Sequence, residues 1–521
     1  MSEPTSAVVS LGEVAVRLHP QDTVAIAKID LQVNITLTVD NSHVPTHVPV
    51  RQSIPSGHKV ALQEVAAGEP VRRYGQVIGF ASRNILPGEH VHTHNLGIQG
   101  FDRDPAFGVD ARAAAYVPED ERRTFLGYRR SDGRVGTRNY VAVVSTVNCS
   151  AHVAREIARY FTRERMADFP NVDGVFALTH QLGCPMKYVL LQRTLAGMAR
   201  HPNIGACVLV GLGCETNQVG DLVENYGLGS GEGMLSGYPP GLVIQELGGI
   251  RSTVEAGVAA IEEMLPVVNA VERTAQPLSA LMLALQCGGS DSWSGVTANP
   301  VVGLVADEVV RQGGTVVLAE TPEIYGAEHL LTRRAVSQEV GQRLVAQVRW
   351  WEQYARRMGF EIDDNRSVGN EAGGLTTIYE KSLGAVAKAG STPLAGVTDY
   401  AEPVTARGFV FMNSPGYDPV SVTGQVAGGC NLVLFTTGRG SVFGFKPAPT
   451  IKISTNSRMY EHMVDDMDLN AGKVLEGLDM TAVAAELLDL VMAVASGQPS
   501  KSESQGVGEA EFNPWNLEGT L

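Results

Sequence analysis

Residues 88–95, GEHVHTHN, place His90, His92 and His94 on alternate positions, so three of the chain's twelve histidines fall within five residues. In an extended segment alternate side chains share a face, which puts the three imidazoles together and Asn95 opposite. Neutral imidazole is a ligand for iron, zinc or manganese. His92 and His94, with His90, are therefore the expected metal site, although a hydrated edge strand accounts for the same pattern. His58, in PSGHKVAL, is a further ligand or a group that orients one.

Four of the six cysteines follow apolar runs that read as parallel strands: Cys149 in VNCS, Cys184 in THQLGCP after His180, Cys214 in GLGCE and Cys287 in LQCGGSD. Open parallel sheets bind ligands beyond the carboxyl ends of their strands. Thiolates there bind soft or borderline metals or move protons. Any one of them alone reads more readily as buried filler, the four together as functional, and Cys207 in ACVLV and Cys430 in AGGCNLV are assigned to packing. The absence of a C-x-x-C spacing argues against a zinc ribbon. Ser290 and Asp291 of CGGSD, Glu320 of TVVLAE, and Thr437 and Arg439 of TTGRG occupy other strand ends. The adjoining glycines let backbone amides approach an anion, but none of these turns has a nucleotide-binding spacing. Arg134 and Arg138 of GYRRSDGRVGTRNY suit a carboxylate through paired guanidinium hydrogen bonds, and equally suit a solvated basic loop.

The elements that must carry these groups divide the chain into an α/β multidomain protein. Short alternating runs over 10–97 predict a small all-β module. Residues 98–125 lack periodicity and read as a linker. Strands alternating with helices over 126–276 predict a Rossmann-like α/β domain with a parallel sheet, and 277–500 predicts a second one. Strands are expected at 140–147, 174–180, 206–213 and 242–247, then at 280–286, 315–320, 408–414, 431–438 and 450–455. One long helical stretch is expected near 326–359. A polar tail spans 501–521.

A chain of 521 residues with 44% hydrophobic and 19% charged residues is an ordinary globular composition. A net charge of −15 without a basic run argues against nucleic acid and anionic membranes as main partners. No span-length apolar run is present. Six cysteines and no signal-like N-terminus predict a reducing, cytoplasmic setting. A homodimer is the base-rate expectation.

Taken together, HVHTHN after a β module, GYRRSDGRVGTRNY, GLGCE, CGGSDSWSGVTANP, PGYDPVSVTGQVAGG and FTTGRGSVFG resemble the altronate/galactarate dehydratase family across essentially the whole chain. The resemblance implies an N-terminal SAF-type module, two α/β domains, and a divalent metal, Fe²⁺ first and Mn²⁺ second. It implies loss of water from a small anionic sugar acid. HVHTHN looks more like the altronate branch, with D-altronate going to 2-keto-3-deoxy-D-gluconate and galactarate the alternative.

On that footing Arg138, Asn139 and Arg439 are expected to orient the substrate, with Arg134, Ser290 and Thr437 nearby. His180, Asp291 and Glu320 are the candidate acid/base groups, and Cys149, Cys184, Cys214 and Cys287 are expected to line the same cleft. An iron–sulfur cluster on those cysteines stays open, as does a non-catalytic sugar-acid binding protein.

Overall fold

The computed structural model describes residues 7–39, 46–100, 105–185, 188–228 and 241–517. Its N-terminal module is all β, apart from one four-residue helical turn. One sheet comprises β1 (Ala15–Val16), β2 (Val24–Ala27), β3 (Lys59–Ala61) and β6 (His90–Val91). A second comprises β4 (Pro70–Arg73), β5 (Gln76–Ala81) and β7 (Leu96–Gly97). A third pairs Ala7–Ser10, Ile35–Val39 and Thr46–Pro49. The strands are short because Gly and Pro turns interrupt them every few residues.

The expected linker runs into a strand at its end. Thr124–Arg129 pairs antiparallel with Thr274–Pro277, and so ties the start of the middle domain to its end. Its alternating burial is the period-two signal of an edge ribbon, too brief to stand out in sequence.

The middle domain is a four-stranded parallel sheet in the order β9 (Gly174–Leu178), β8 (Tyr140–Ser145), β10 (Ile204–Gly211), β11 (Gly241–Val243). Helices α1 (Ala151–Tyr160), α2 (Val189–Ala199) and α3 (Ile250–Asn269) cover it. Every residue of β8 and β10 is buried, as expected for strands covered on both faces.

The C-terminal domain carries a seven-stranded parallel sheet. In chain order its elements include β12 (Met282–Cys287), α4 (Ala298–Arg311), β13 (Thr315–Leu318), α5 (Val368–Ala372), α6 (Ile378–Val386), β14 (Leu394–Thr398), β15 (Gly408–Met412), α7 (Asp418–Ala427), β16 (Leu432–Thr437), β17 (Thr450–Ser454) and β18 (Leu469–Asn470). The spatial order is β14, β15, β13, β12, β16, β17, β18. In both sheets the strand order reverses beside the first strand, and such reversals open a crevice at the carboxyl ends.

The long helical stretch expected near 326–359 is broken into Glu328–Thr332 and Gln338–Met358, with Ser337 capping the second through Val340 N. β14 was not expected. Its five residues lie between glycines and prolines. No helix among the described residues is long and apolar enough to cross a membrane.

Candidate active site

β3 and β6 pair antiparallel with Val60 opposite His90, which brings the end of one and the start of the other together. His58, just before β3, lies with its Nδ1 3.0 Å from His90 Nε2. The His92 ring centroid is 4.8 Å from that of His58 and 5.3 Å from that of His90. Asn95 makes this possible. Its Oδ1 accepts from His92 N at 2.9 Å and its Nδ2 donates to His90 O at 2.9 Å, so a tight turn replaces the strand after Val91.

The expected alternation of three imidazoles along one strand is therefore corrected. The imidazoles actually gathered are those of His58, His90 and His92, whose nitrogens lie within 4.8 Å of one another. His94 is exposed and reaches the group only as a ring 5.4 Å from His90. Burial, then neighbouring charges, lowers the pKa of His90 to about 3 and that of His92 to about 4. Burial lowers His58 as well. Unprotonated imidazoles this close suit a cation, and His92 Nδ1 is buried without a hydrogen-bond partner in the structure. The donor set fits a divalent metal.

The second cluster sits at the carboxyl end of β12, in the crevice beside β16. Cys287 Sγ lies 3.2 Å from Glu323 Oε2 and accepts from Lys388 Nζ at 2.8 Å. Lys388 also pairs with Glu320 at 3.4 Å, and Lys381 with Glu323 at 2.8 Å. Burial, reinforced by Glu323, pushes the Glu320 carboxyl well above its usual range. Glu320 also holds a left-handed backbone at φ 67°, strain of a kind that concentrates at functional sites. Burial opposes charge on Lys388 and Lys381, but the facing acidic groups outweigh it and keep both protonated. Cys287, Glu320 and Glu323 have metal-like spacing; the Lys388 ammonium already supplies the cation there.

A cavity of about 300 Å³ opens at this point, lined by Gly288, Ser290, Glu323, Asn370, Lys381 and Asp418 among others. Asp418, the first residue of α7, accepts from Gln286 Nε2 at 2.9 Å; burial raises its pKa to about 6.

α5 joins the two clusters. Asn370 lines the cavity and donates to Ser290 O at 2.8 Å, while Ala372 O lies 3.4 Å from His58 Nε2. Behind it, Glu380 binds Lys59 at 2.9 Å and Arg73 at 2.5 Å, all three side chains being almost wholly buried. The module is thus locked against the C-terminal domain.

The other expected residues separate by environment. Ser290 is on the cavity wall. Arg439 is exposed, its backbone N donating to Gly289 O at 2.8 Å, and no described hydrogen bond or ion pair engages its guanidinium. Thr437 is buried and accepts from Gly440 N. Asp291, expected as an acid or base, accepts from Trp293 N, Ser294 N, Thr455 Oγ1 and Asn456 Nδ2. Those bonds make it a clamp for its loop.

Arg138, expected to orient substrate, makes a bidentate pair with Glu503 at 2.7 and 2.8 Å. Asn139 is buried and spent on Asn171 O, Val268 O and Arg130. Arg134 pairs with Asp132 at 2.6 Å, in a groove of about 750 Å³ between the middle and C-terminal domains that is distant in composition from either cluster. His180, also expected as an acid or base, is buried with Nε2 3.2 Å from Ser145 O and Nδ1 accepting from Leu182 N. Burial holds its pKa near 4, so it braces two loops.

The four strand-end cysteines do not share one cleft. Cys287 belongs to the C-terminal sheet, whereas Cys149, Cys184 and Cys214 follow β8, β9 and β10 of the middle one. Lys381, Lys388, Glu323 and Asp418 were not anticipated. The available signal was two lysines in the mostly apolar IYEKSLGAVAKA (378–389).

Three family models match: the altronate/galactarate dehydratase SAF domain over 13–99, the D-galactarate dehydratase/altronate hydrolase second domain over 127–269, and the D-galactarate/altronate dehydratase C-terminal domain over 278–520. The altronate dehydratase of Bacillus subtilis is 35% identical over 93% of this chain and 95% of its own. That of Escherichia coli is 36% identical over 94% and 96%. The L-threo-forming galactarate dehydratase of Escherichia coli is 35% identical over 96% of each.

Proposed function

The chain belongs to the altronate/galactarate dehydratase family, and from that premise we propose that it is a metal-dependent hydro-lyase converting D-altronate to 2-keto-3-deoxy-D-gluconate. The observation that carries the reading is the pairing of a three-imidazole group with an acid-and-lysine cavity across one short helix, α5.

A proton alpha to a carboxylate is very weakly acidic, so the enediolate left by its removal must be stabilised. A divalent ion, Fe²⁺ or Mn²⁺, held by His58, His90 and His92 would supply Lewis-acid charge for that purpose. Asp418, ionised above about pH 6, takes the carbon-2 proton as general base. Lys381, kept charged inside the cavity, faces the developing negative charge. Arg439 binds the substrate carboxylate. The Cys287 thiol, which donates to Glu323 and is backed by Lys388, protonates the departing carbon-3 hydroxyl. The carbon–oxygen bond breaks and water leaves; the enol gives up its hydroxyl proton as carbon 3 gains one, forming the 2-keto acid, and the proton on Asp418 returns through solvent to the Cys287 thiolate.

Galactarate is the second substrate for the same chemistry, favoured by two cations, Lys381 and Arg439, for its two carboxylates. The test is to incubate anaerobic protein with Fe²⁺ or Mn²⁺ and each acid, then measure 2-keto acid. Faster turnover of altronate supports the reading, preference for galactarate moves the substrate, and no 2-keto acid from either removes the function.

A further inference from the structure

We propose that Cys149, Cys184 and Cys214 form a separate thiolate site for a borderline-soft divalent cation, zinc or ferrous iron. This inference is independent of the imidazole site and of the dehydratase reading.

The three thiols follow the three adjacent strands β9, β8 and β10. Cys149 and Cys214 flank the β8/β10 crevice, where the strand order reverses and where such sheets take ligands. Cys149 Sγ and Cys184 Sγ stand 3.8 Å apart. Two sulfurs bound tetrahedrally at about 2.3 Å from one ion are separated by 2.3 × √(8/3), or about 3.8 Å.

The loops are held in place without the ion. His180 bridges Ser145 O and Leu182 N. Asn148 N donates to Leu182 O, and Thr216 N to Cys184 O at 2.8 Å. Thr146 Oγ1 donates to Glu215 across the crevice at 2.8 Å. Cys149 and Cys214 are exposed and Cys184 is half-buried, so the site opens to solvent. The three sulfurs are not all within 4.8 Å of one another, so the site requires the exposed Cys214 side chain to turn toward the Cys149–Cys184 pair. A fourth position stays open, as in metal sites that take water or a small anion.

The test uses full-length, metal-free, reduced protein titrated anaerobically with Co²⁺, reading thiolate-to-cobalt charge-transfer absorption. The band is expected in the wild type and in His92→Ala. It should be lost, or need at least ~10-fold more cobalt, in Cys149→Ser and Cys184→Ser. Because Cys149 is exposed, Cys149→Ser retains the fold, which its thermal unfolding checks. The proposal is overturned by absence of the band in the wild type, or by its persistence in Cys149→Ser. It is equally overturned by a brown sulfide-bridged cluster, or by a Cys149–Cys184 disulfide that excludes metal in protein never exposed to oxygen.

Discussion

Replacing Glu380 with Gln removes the one negative charge from a site that buries two cations. Glu380 contacts Lys59 at 2.9 Å and Arg73 at 2.5 Å, with side chains no more than 1% exposed. Burial alone would raise its pKa, but Lys59 and Arg73 outweigh burial and bring it from 4.5 to about 2. A difference of 2.5 units at 1.36 kcal/mol each is about 3 kcal/mol. Stranding a buried charge costs about 3–5 kcal/mol. Lys59, drawn by burial to about 8, sheds its proton more easily once the carboxylate is gone, so the lower end applies. For a carboxyl depressed on folding, the stabilisation is complete above about pH 4.5 and is lost as pH falls through about 2. Urea unfolding followed by tryptophan fluorescence reads the effect, because Trp293 packs against Ile26 where the module meets the C-terminal domain. The first transition of Glu380→Gln should lie about 3 kcal/mol below wild type at pH 7, with the gap closing between pH 4.5 and 2. A gap under ~0.5 kcal/mol at pH 7, or one unchanged down to pH 2, would refute the reasoning.

Asp418→Asn should lower kcat by about 10²-fold or more, and wild-type kcat/KM should fall tenfold per pH unit below about 6, the value to which burial raises Asp418; a flat profile from pH 7 to 5 would contradict its role as base. Arg439→Ala should raise KM for the sugar acid about 10-fold or more with a smaller change in kcat, as read by initial rates. Arg138→Ala should cost about 3–5 kcal/mol of stability by stranding Glu503 while leaving KM unchanged, which separates its structural role from substrate binding.

The alternation of apolar and turn residues made the β module and both parallel sheets legible, because a strand's burial is written in its own residues. The strand-end rule pointed to Ser290 and Cys287, which line one cavity, and to Glu320, which pairs with Lys388 beside Cys287. The imidazole group was only half legible: HVHTHN named the right stretch, but the side chain that bends it, Asn95, works through backbone bonds that no spacing encodes. His58 and Arg138 fall on opposite sides of that limit. His58 was named from sequence and does join His90, from 32 positions away, whereas Arg138, expected at the substrate, is captured by Glu503 from 365 positions away, a pairing that no neighbourhood in sequence encodes. Lys381 and Lys388 were not anticipated because the acids that face them, Glu323 and Glu320, lie about 60 positions earlier, past the β13 end.

The central claim is that His58, His90 and His92 hold a cation at the substrate cavity. Its most direct measurement is Mn²⁺ binding by electron paramagnetic resonance on anaerobic protein, with 2-keto acid formation assayed on the same samples. Wild type and His94→Ala should bind the ion alike, while His92→Ala should need at least ~10-fold more Mn²⁺ and lose turnover in proportion. Equal binding and turnover in His92→Ala and wild type would contradict the account.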